Sequence, residues 1–166
     1  MSIVEPERHV DERGLFARTY CKREFAAHGI DFVPTQVSAS SNTRRGTLRG
    51  LHFQAEPLPE AKVITCTRGS AFDVAVDLRP DSPTYGRWTG VELTSANRNA
   101  VFVPAGCAHG FQTLEDDTEL LYLISEFYEP SLQRGVRWDD PALEIDWPLT
   151  PTVISERDRC FPDFAW

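Results

Sequence analysis

The sequence has few cysteines, and none of them is paired in a metal-binding spacing. Four occur among 166 residues, at positions 21, 66, 107 and 160, and no two form a C-x-x-C pair. That argues against a zinc ribbon. Cys66 and Cys107 lie within apolar runs, where a free cysteine behaves as a small buried hydrophobe. This cysteine usage is typical of a reducing compartment, so we expect a cytoplasmic protein.

Long apolar runs and an excess of basic residues are also absent. No run in the sequence approaches the roughly 20 residues that a membrane helix needs. The N terminus has no basic segment followed by an apolar one, so no signal peptide is expected. Acidic residues outnumber basic ones by 25 to 17, for a net charge of −8. Nucleic acids and anionic membranes bind basic surfaces, so we expect neither as a partner, whereas a small anionic ligand needs only a few local arginines and lysines.

A third absence concerns helices: no long helical pattern follows residue 29. Residues 22–28 predict one short helix that ends at Gly29. Short apolar segments then alternate with turns about every ten residues, which is typical of a β-sandwich or barrel. An edge strand is predicted at residues 36–40, and the pattern is β from residue 47 onward. The later predicted strands cover residues 62–67, 71–78, 88–93, 100–103, 109–113 and 119–126. The remainder, from residue 129, is rich in proline and tryptophan and predicts an irregular tail over the barrel. The length suits one domain, residues 1–166.

The strand at residues 71–78 shows the clearest alternation. Phe72, Val74 and Val76 share one face and Asp73 and Ala75 the other. This period of two indicates a half-buried strand.

Polar side chains interrupt the apolar strands between residues 49 and 62. Arg49, His52, Gln54 and Lys62 lie there within two apolar runs joined by a turn. A histidine can accept a proton at neutral pH, a lysine can stabilise an oxyanion, and Tyr122, in an apolar strand, can return a proton. A base and an acid on opposite faces of a substrate would invert a stereocentre beside a ketone. The same residues are also compatible with ordinary strand ends and a core tyrosine.

The spacing resembles the two motifs of the cupin superfamily, whose small barrels often hold a metal. Gly46 and His52 fit the first motif, but Gln54 stands at the second histidine position and Lys62 where the motif has glutamate. The second motif resembles Pro104-x-Gly106-x-x-His109. A metal site needs neutral or anionic ligands that converge on one ion. A lysine ammonium in place of a carboxylate therefore predicts a barrel without a metal.

Seven ordered motifs resemble the dTDP-4-dehydrorhamnose 3,5-epimerase family, the RmlC-like cupins. The likeness extends from residue 11 to residue 158. The motifs are R-G-L-H-F-Q (49–54), the context of Lys62, F-D-V-A-V-D-L-R (72–79), S-P-T-Y-G (82–86), P-x-G-x-A-H-G-F (104–111), W-D-D-P (138–141) and I-D-W-P (145–148).

The resemblance implies a metal-free and cofactor-free jelly-roll enzyme that epimerises a dTDP-4-keto-6-deoxyhexose at C3, C5 or both through an enolate. It makes His52 the base, oriented by Asp158, with Tyr122 as the acid and Lys62 as the enolate stabiliser. It also implies a homodimer in which the N-terminal segment reaches the partner's site. The substrate-binding residues that it implies are Arg13, Phe16, Gln36, Ser38, Arg49, Gln54, Asp73, His109, Tyr128 and Arg157.

The chain departs from the family pattern outside the proton-transfer residues. Arg18 stands where the family has a glutamate that reads the thymine, Ser38 replaces an asparagine, and Leu123 replaces the lysine after the catalytic tyrosine. Gln133-Arg134 and Arg157 differ as well. These departures suit an enzyme for another nucleotide 4-keto sugar or one that inverts a single centre. A 3,4-ketoisomerase and a non-catalytic nucleotide-sugar-binding cupin are also compatible with the sequence.

Overall fold

Two antiparallel sheets packed face to face form the body of this computed structural model, which describes residues 1–164. In chain order the strands and α-helices are β1 (Ser2–Val4), β2 (Arg8–Asp11), β3 (Gly14–Ala17), α1 (Lys22–Ala27), β4 (Gln36–Asn42), β5 (Thr47–Gln54), β6 (Lys62–Arg68), β7 (Ser70–Asp77), β8 (Trp88–Thr94), β9 (Ala100–Val103), β10 (Cys107–Thr113), β11 (Thr118–Ile124), β12 (Gln133–Gly135), β13 (Val153–Ile154) and α2 (Glu156–Arg159), with a 3-10 turn at Pro130–Leu132. The first sheet has the order β1-β9-β6-β11-β4 and the second β12-β5-β10-β7-β8, with β13 parallel to β5.

This arrangement confirms the predicted jelly roll and corrects one detail. Within residues 1–164 the two sheets are not joined into a closed barrel. The strand predicted at residues 36–40 is β4, and it lies at an edge of the first sheet, as predicted. The short helix at residues 22–28 is also present as α1, and Gly29 follows it with a φ of 76°. That conformation is favourable for glycine and ends the helix.

The main core lies between the sheets. It joins Ile64 of β6 and Leu120 of β11 in the first sheet to Ala75 of β7 and Phe111 of β10 in the second. Because side chains alternate across a strand, each sheet has a second, outward face to cover. Helix α1 covers the first sheet with Phe25.

The C-terminal tail covers the outer face of the second sheet. Val136 and Leu143 pack there against Val74 and Val76. The alternation predicted for residues 71–78 is correct, but the prediction of a half-buried strand is wrong, because β7 is buried on both faces. Its apolar face lies under the tail, and its other face, with Asp73, lies between the sheets.

A bulge in β5 brings Arg49 and His52 to the same side of the second sheet. His109 of β10 pairs with His52, and Phe111 pairs with Arg49, so two steps along β10 match three along β5. Gly50 occupies the bulge with a φ of 132°. A Cβ at this position would lie 2.5 Å from the Cα of Gly110. The close approach of the two strands therefore requires glycine here.

A separate hairpin, β2–β3, projects from the body of the chain. Asp11 pairs with Gly14 at its turn, where the sequence predicts one. Val10 is 74% exposed and Phe16 is 69% exposed. A two-stranded hairpin alone is marginally stable in water. These apolar side chains thus lie on a surface that the chain itself does not cover.

Candidate active site

A cavity of about 320 Å³ opens between the two sheets. The second sheet contributes residues of β5 and β10, and the first contributes residues of β4, β6 and β11. The lining residues are Gln36, Ser38, Arg49, His52, Glu60, Lys62, His109, Phe111, Tyr122, Ile124, Tyr128 and Gln133. His52 and Tyr122 belong to different sheets, so they lie on opposite walls of this cavity.

His52 and Asp158 form a hydrogen-bonded pair. Asp158 Oδ1 lies 2.7 Å from His52 Nε2, and its Oδ2 accepts a hydrogen bond from the Gly50 N–H at 3.1 Å. Burial raises the pKa of Asp158, but the hydrogen bond and charge of His52, with the Gly50 N–H and Ser155, bring the pKa below its ordinary value. The carboxylate is thus ionised at neutral pH. It accepts from Nε2–H and leaves Nδ1 as the free base of the ring.

Helix α2, which is part of the tail, places Asp158 beside His52. Ser155 caps the helix, accepting at its Oγ from the Asp158 N–H at 3.1 Å. Phe161, just beyond the helix, packs edge-on against the His52 ring with centroids 5.9 Å apart. The tail therefore folds back onto β5, as the predicted role of Asp158 requires.

Lys62 enters the cavity from the first sheet. Its Nζ lies 2.9 Å from Glu60 Oε1 and donates to the His52 carbonyl oxygen at 3.3 Å. Glu60 was not among the residues predicted from the sequence. A local signal for it exists, because residues two apart in an extended segment share a face and Glu60 precedes Lys62 by two.

Tyr122 lies beside a second His–Asp pair. His109 Nε2 lies 2.8 Å from Asp73 Oδ2, and the His109 ring meets the Tyr122 ring edge-on with centroids 5.7 Å apart. Burial and then the charge of Asp73 raise the pKa of Tyr122 well above its ordinary value, with Arg49 opposing. Tyr122 thus holds its phenol proton at neutral pH, as a proton donor must. Asp73 is fully buried beneath His109, not on the cavity surface, and its Oδ1 has no hydrogen-bond partner among the described residues.

The cavity mouth carries most of the other predicted binding residues. Arg49 donates from Nε to Asn42 Oδ1 at 2.8 Å, which orients its exposed guanidinium. Gln36 accepts at Oε1 from the Tyr128 N–H at 2.7 Å. Ser38 stands opposite Tyr122 in the register of β4 and β11. These side chains surround the cavity with hydrogen-bonding groups and one cation.

Besides Asp73, four predicted binding residues do not line the cavity. Gln54 is 1% exposed, and its amide binds the backbone of Leu58, Phe127 and Glu129, so it ties two loops together. Arg13 pairs with Asp11 on the projecting hairpin, which also carries Phe16.

Arg157, the fourth of these residues, is exposed at the surface of α2. Its guanidinium carbon lies 5.7 Å from the centre of the Phe161 ring, and its Nη2 lies 3.4 Å from Gln133 Oε1. Since Phe161 contacts His52 and Gln133 lines the cavity, Arg157 borders the site without lining it.

The donor set does not suit a metal. Among residues 1–164, no group of three or more His, Cys, Asp or Glu side chains is arranged to hold a metal ion, and the Lys62 ammonium lies among the groups that line the cavity. These residues also include no helix that is long and apolar enough to cross a bilayer.

A family model and the sequences of known relatives indicate the same family. A family model described as dTDP-4-dehydrorhamnose 3,5-epimerase matches residues 1–165. A relative named dTDP-4-dehydrorhamnose 3,5-epimerase, from Methanothermobacter thermautotrophicus, is 47% identical over 160 residues, covering 95% of this chain and 85% of its own. Another, named dTDP-4-dehydrorhamnose 3-epimerase, from Streptomyces niveus, is 43% identical over 157 residues, covering 94% and 75%.

A solved structure extends the likeness to the fold. The crystal structure of dTDP-4-dehydrorhamnose 3,5-epimerase from Bacillus anthracis, with TDP and PPi bound, matches with a TM-score of 0.95 at 39% identity. The match covers 98% of this chain and 93% of that one.

Proposed function

The chain belongs to the dTDP-4-dehydrorhamnose 3,5-epimerase family, the nucleotide-sugar epimerases of deoxysugar biosynthesis, and we propose that it epimerises a dTDP-4-keto-6-deoxyhexose at C3 and C5. The observation that carries this proposal is the placement of the His52–Asp158 pair and Tyr122 on opposite walls of one cavity. A substrate carbon between them has a base on one face and an acid on the other.

The proposed reaction begins with proton abstraction by His52. The C–H bond beside the C4 ketone breaks, and its electron pair moves into the ketone to form an enolate. Lys62 stabilises the negative oxygen with its ammonium. Asp158 holds the imidazole in orientation and compensates the charge that His52 gains.

Tyr122 completes the inversion by returning a proton to the opposite face of the same carbon. The raised pKa of Tyr122 supports this role, because the phenol stays protonated until the carbanion accepts its proton. Solvent then reprotonates the phenolate and deprotonates the imidazolium. Since the C4 ketone activates both neighbouring carbons, the same groups serve C3 and C5.

The nucleotide binds at the open end of the cavity in this proposal. Arg49 supplies positive charge for the diphosphate, while Gln36, Ser38 and Tyr128 supply hydrogen bonds and an aromatic surface. His109, backed by Asp73, shapes the wall beside Tyr122. Arg157 borders the cavity close to His52.

A homodimer supplies the remaining binding residues. Arg13 and Phe16 lie on the hairpin β2–β3, whose apolar side chains the chain leaves exposed. Packing this hairpin over a second subunit would bury Phe16 and bring both residues to the partner's nucleotide. Gln54 acts indirectly by holding the loops around Tyr128.

We also propose that the chain forms one catalytic domain and that the protein is cytoplasmic. The family match over residues 1–165 supports one catalytic domain across residues 1–166. Four free cysteines, at 21, 66, 107 and 160, support a cytoplasmic location.

A single-centre epimerase is the second candidate function. The relative named a 3-epimerase is 43% identical to this chain, within a few percent of the 3,5-epimerase relative at 47%. Two residues that depart from the family pattern lie beside Tyr122. Ser38 is opposite it on β4, and Leu123 follows it on β11. Changes there alter which carbon approaches the acid.

Solvent deuterium exchange tests these functions. The protein is incubated with dTDP-4-keto-6-deoxyglucose in heavy water, and C3 and C5 are followed by NMR. We expect deuterium and inversion at both carbons. Inversion at one carbon only would identify a single-centre epimerase, and migration of the ketone would identify a ketoisomerase. Bound nucleotide without exchange would contradict an epimerase acting on this sugar.

The His52→Ala variant tests the assignment of the base. We expect a loss of about 10²–10⁴-fold in turnover with the fold and dTDP binding retained. Full turnover by this variant would overturn the role of His52.

A further inference from the structure

Glu60 is a buried carboxylate in the cavity wall to which the proposed chemistry assigns no role. Its side chain is 5% exposed and lies 2.9 Å from Lys62 Nζ, itself 8% exposed. We propose that Glu60 is a positioning residue that holds the Lys62 ammonium in place and directs it toward the ketone oxygen of the substrate. This inference rests on the proposed function of Lys62 as the enolate stabiliser.

Two contacts restrict the position of the Lys62 ammonium. Its Nζ forms an ion pair with Glu60 Oε1 at 2.9 Å and donates a hydrogen bond to the His52 carbonyl oxygen at 3.3 Å. Fixing the end of a flexible four-carbon side chain at two points limits where Nζ can lie. Because an ammonium has three N–H groups, donor capacity remains for an oxygen in the cavity that Lys62 lines.

The charge of Glu60 matters because of the burial of Lys62. An ammonium that leaves water is strongly disfavoured unless an opposite charge lies beside it. Glu60 is the carboxylate that contacts it, whereas Asp158 is engaged with His52 and Gly50. Without Glu60, the ammonium loses its counterion in the region where the reaction needs a cation.

Glu60 itself is poorly placed to act as the base. One of its oxygens already pairs with Lys62, whereas His52 is held by the Asp158 carboxylate. A residue that acts through Lys62 should affect both carbons equally, because the C3 and C5 enolates share the C4 oxygen. It should also have no effect once Lys62 is removed.

A double-mutant cycle tests the proposal, with Glu60→Ala and Lys62→Met separately and together. We expect Lys62→Met to lower kcat about 10²–10³-fold, as for loss of an oxyanion donor. We expect Glu60→Ala to lower kcat about 10-fold, with KM unchanged and with equal losses of deuterium exchange at C3 and C5. The double variant should be no slower than Lys62→Met alone.

Two further variants serve as conservative replacement and control. Glu60→Gln keeps an oxygen acceptor at the same reach and loses the charge, so its kcat should lie between wild type and Glu60→Ala. Glu56→Gln makes the same change of charge on an exposed side chain of the same loop and should match wild type. Thermal melting and dTDP binding verify that each variant is folded, and Glu60→Gln carries the test if Glu60→Ala does not fold.

The outcomes separate this inference from the proposed function. Wild-type kcat in both Glu60 variants, with Lys62→Met impaired, would overturn the inference alone. A further loss in the double variant would show that Glu60 acts independently of Lys62 and would also overturn it. Full activity of Lys62→Met would instead overturn the role of Lys62 in the proposed function.

Discussion

Asp158 contacts His52 through one carboxylate oxygen, 2.7 Å from Nε2, and the adjacent bulge of β5 through the other, which accepts from the Gly50 N–H at 3.1 Å. Two contacts from one carboxylate fix both the tautomer of the imidazole and its position relative to the strand. The position of the His52 imidazole therefore depends on a residue 106 positions away in the chain.

Replacing Asp158 by asparagine should lower kcat without changing the affinity for dTDP. The amide is the same size but cannot carry the charge that compensates an imidazolium, so we expect kcat to fall about 10²-fold or more with dTDP affinity unchanged. Steady-state kinetics and calorimetric titration measure the two effects. Glu156→Gln, an exposed position on the same helix, is the control. An unchanged kcat in Asp158→Asn would contradict the role of Asp158.

Replacing Tyr122 by phenylalanine should uncouple proton abstraction from inversion. His52 and Lys62 would still form the enolate, and His52 would return deuterium to the face from which it removed the proton. We expect deuterium incorporation with retained configuration, while inversion falls about 10²-fold or more. NMR in heavy water distinguishes the two products, with Tyr85→Phe, outside the cavity, as the control. Inversion at the wild-type rate would exclude Tyr122 as the acid.

Polar substitutions in the hairpin β2–β3 should weaken the proposed dimer. Val10→Ser and Phe16→Ser remove apolar side chains that are exposed in the single chain, so the monomer should fold while the dimer weakens. Light scattering over a dilution series should show dissociation at higher concentration than for wild type. Val153→Ser, an exposed position on β13, should leave assembly unchanged. A wild-type protein that is monomeric at all concentrations would contradict the proposed dimer.

Asp77 gives a prediction about stability and pH. Its carboxylate binds Arg79, Ser82 and Thr84. The hydrogen bond to Arg79 is the largest cause of a strongly lowered pKa, against which burial acts, and the two hydroxyls add to the lowering. A lowered folded-state pKa stabilises the protein above the unfolded carboxyl range and loses that contribution as pH falls through the folded value.

Asp77→Asn should therefore reduce the free energy of unfolding at pH 7 by about 1–3 kcal/mol. The difference from wild type should shrink as pH falls below about 4, where the unfolded carboxyl gains its proton. Urea unfolding at several pH values measures both. Asp81→Asn, exposed in the same loop, should match wild type, and a difference for Asp77→Asn that does not vary with pH would contradict the assignment.

The eight strands β4 to β11 were predictable because their signal is local, whereas the short strands β1, β12 and β13 were not predicted. The alternation of Phe72, Val74 and Val76 needs no knowledge of the rest of the chain, and in β7 these three pack on the outer face while Ala75 packs between the sheets. What covers each face is not local. The outer face of β7 is buried by Val136 and Leu143 of the tail, whose irregular sequence carries no period that would reveal its docking.

In the candidate site, too, some residues could be predicted from local sequence and others could not. His52 and Lys62 lie near each other in sequence, on adjacent predicted strands, and their chemistry is legible from residue type. Asp158 came only from the family resemblance, since a contact across 106 residues leaves no spacing to detect. Glu60 was missed because an acidic residue after a proline-rich loop is ordinarily solvated, and only the packed structure shows it buried against Lys62.

The docking of the tail also has a consequence for synthesis of the protein. A ribosome releases the chain from its N terminus, so His52, Lys62 and Tyr122 emerge well before Asp158, which follows the tail's own contacts with the second sheet. A chain that stops before residue 158 can contain every strand of both sheets and still lack the carboxylate that pairs with His52. In the proposed mechanism, the orienting partner of the base is therefore synthesised after the strands of both sheets.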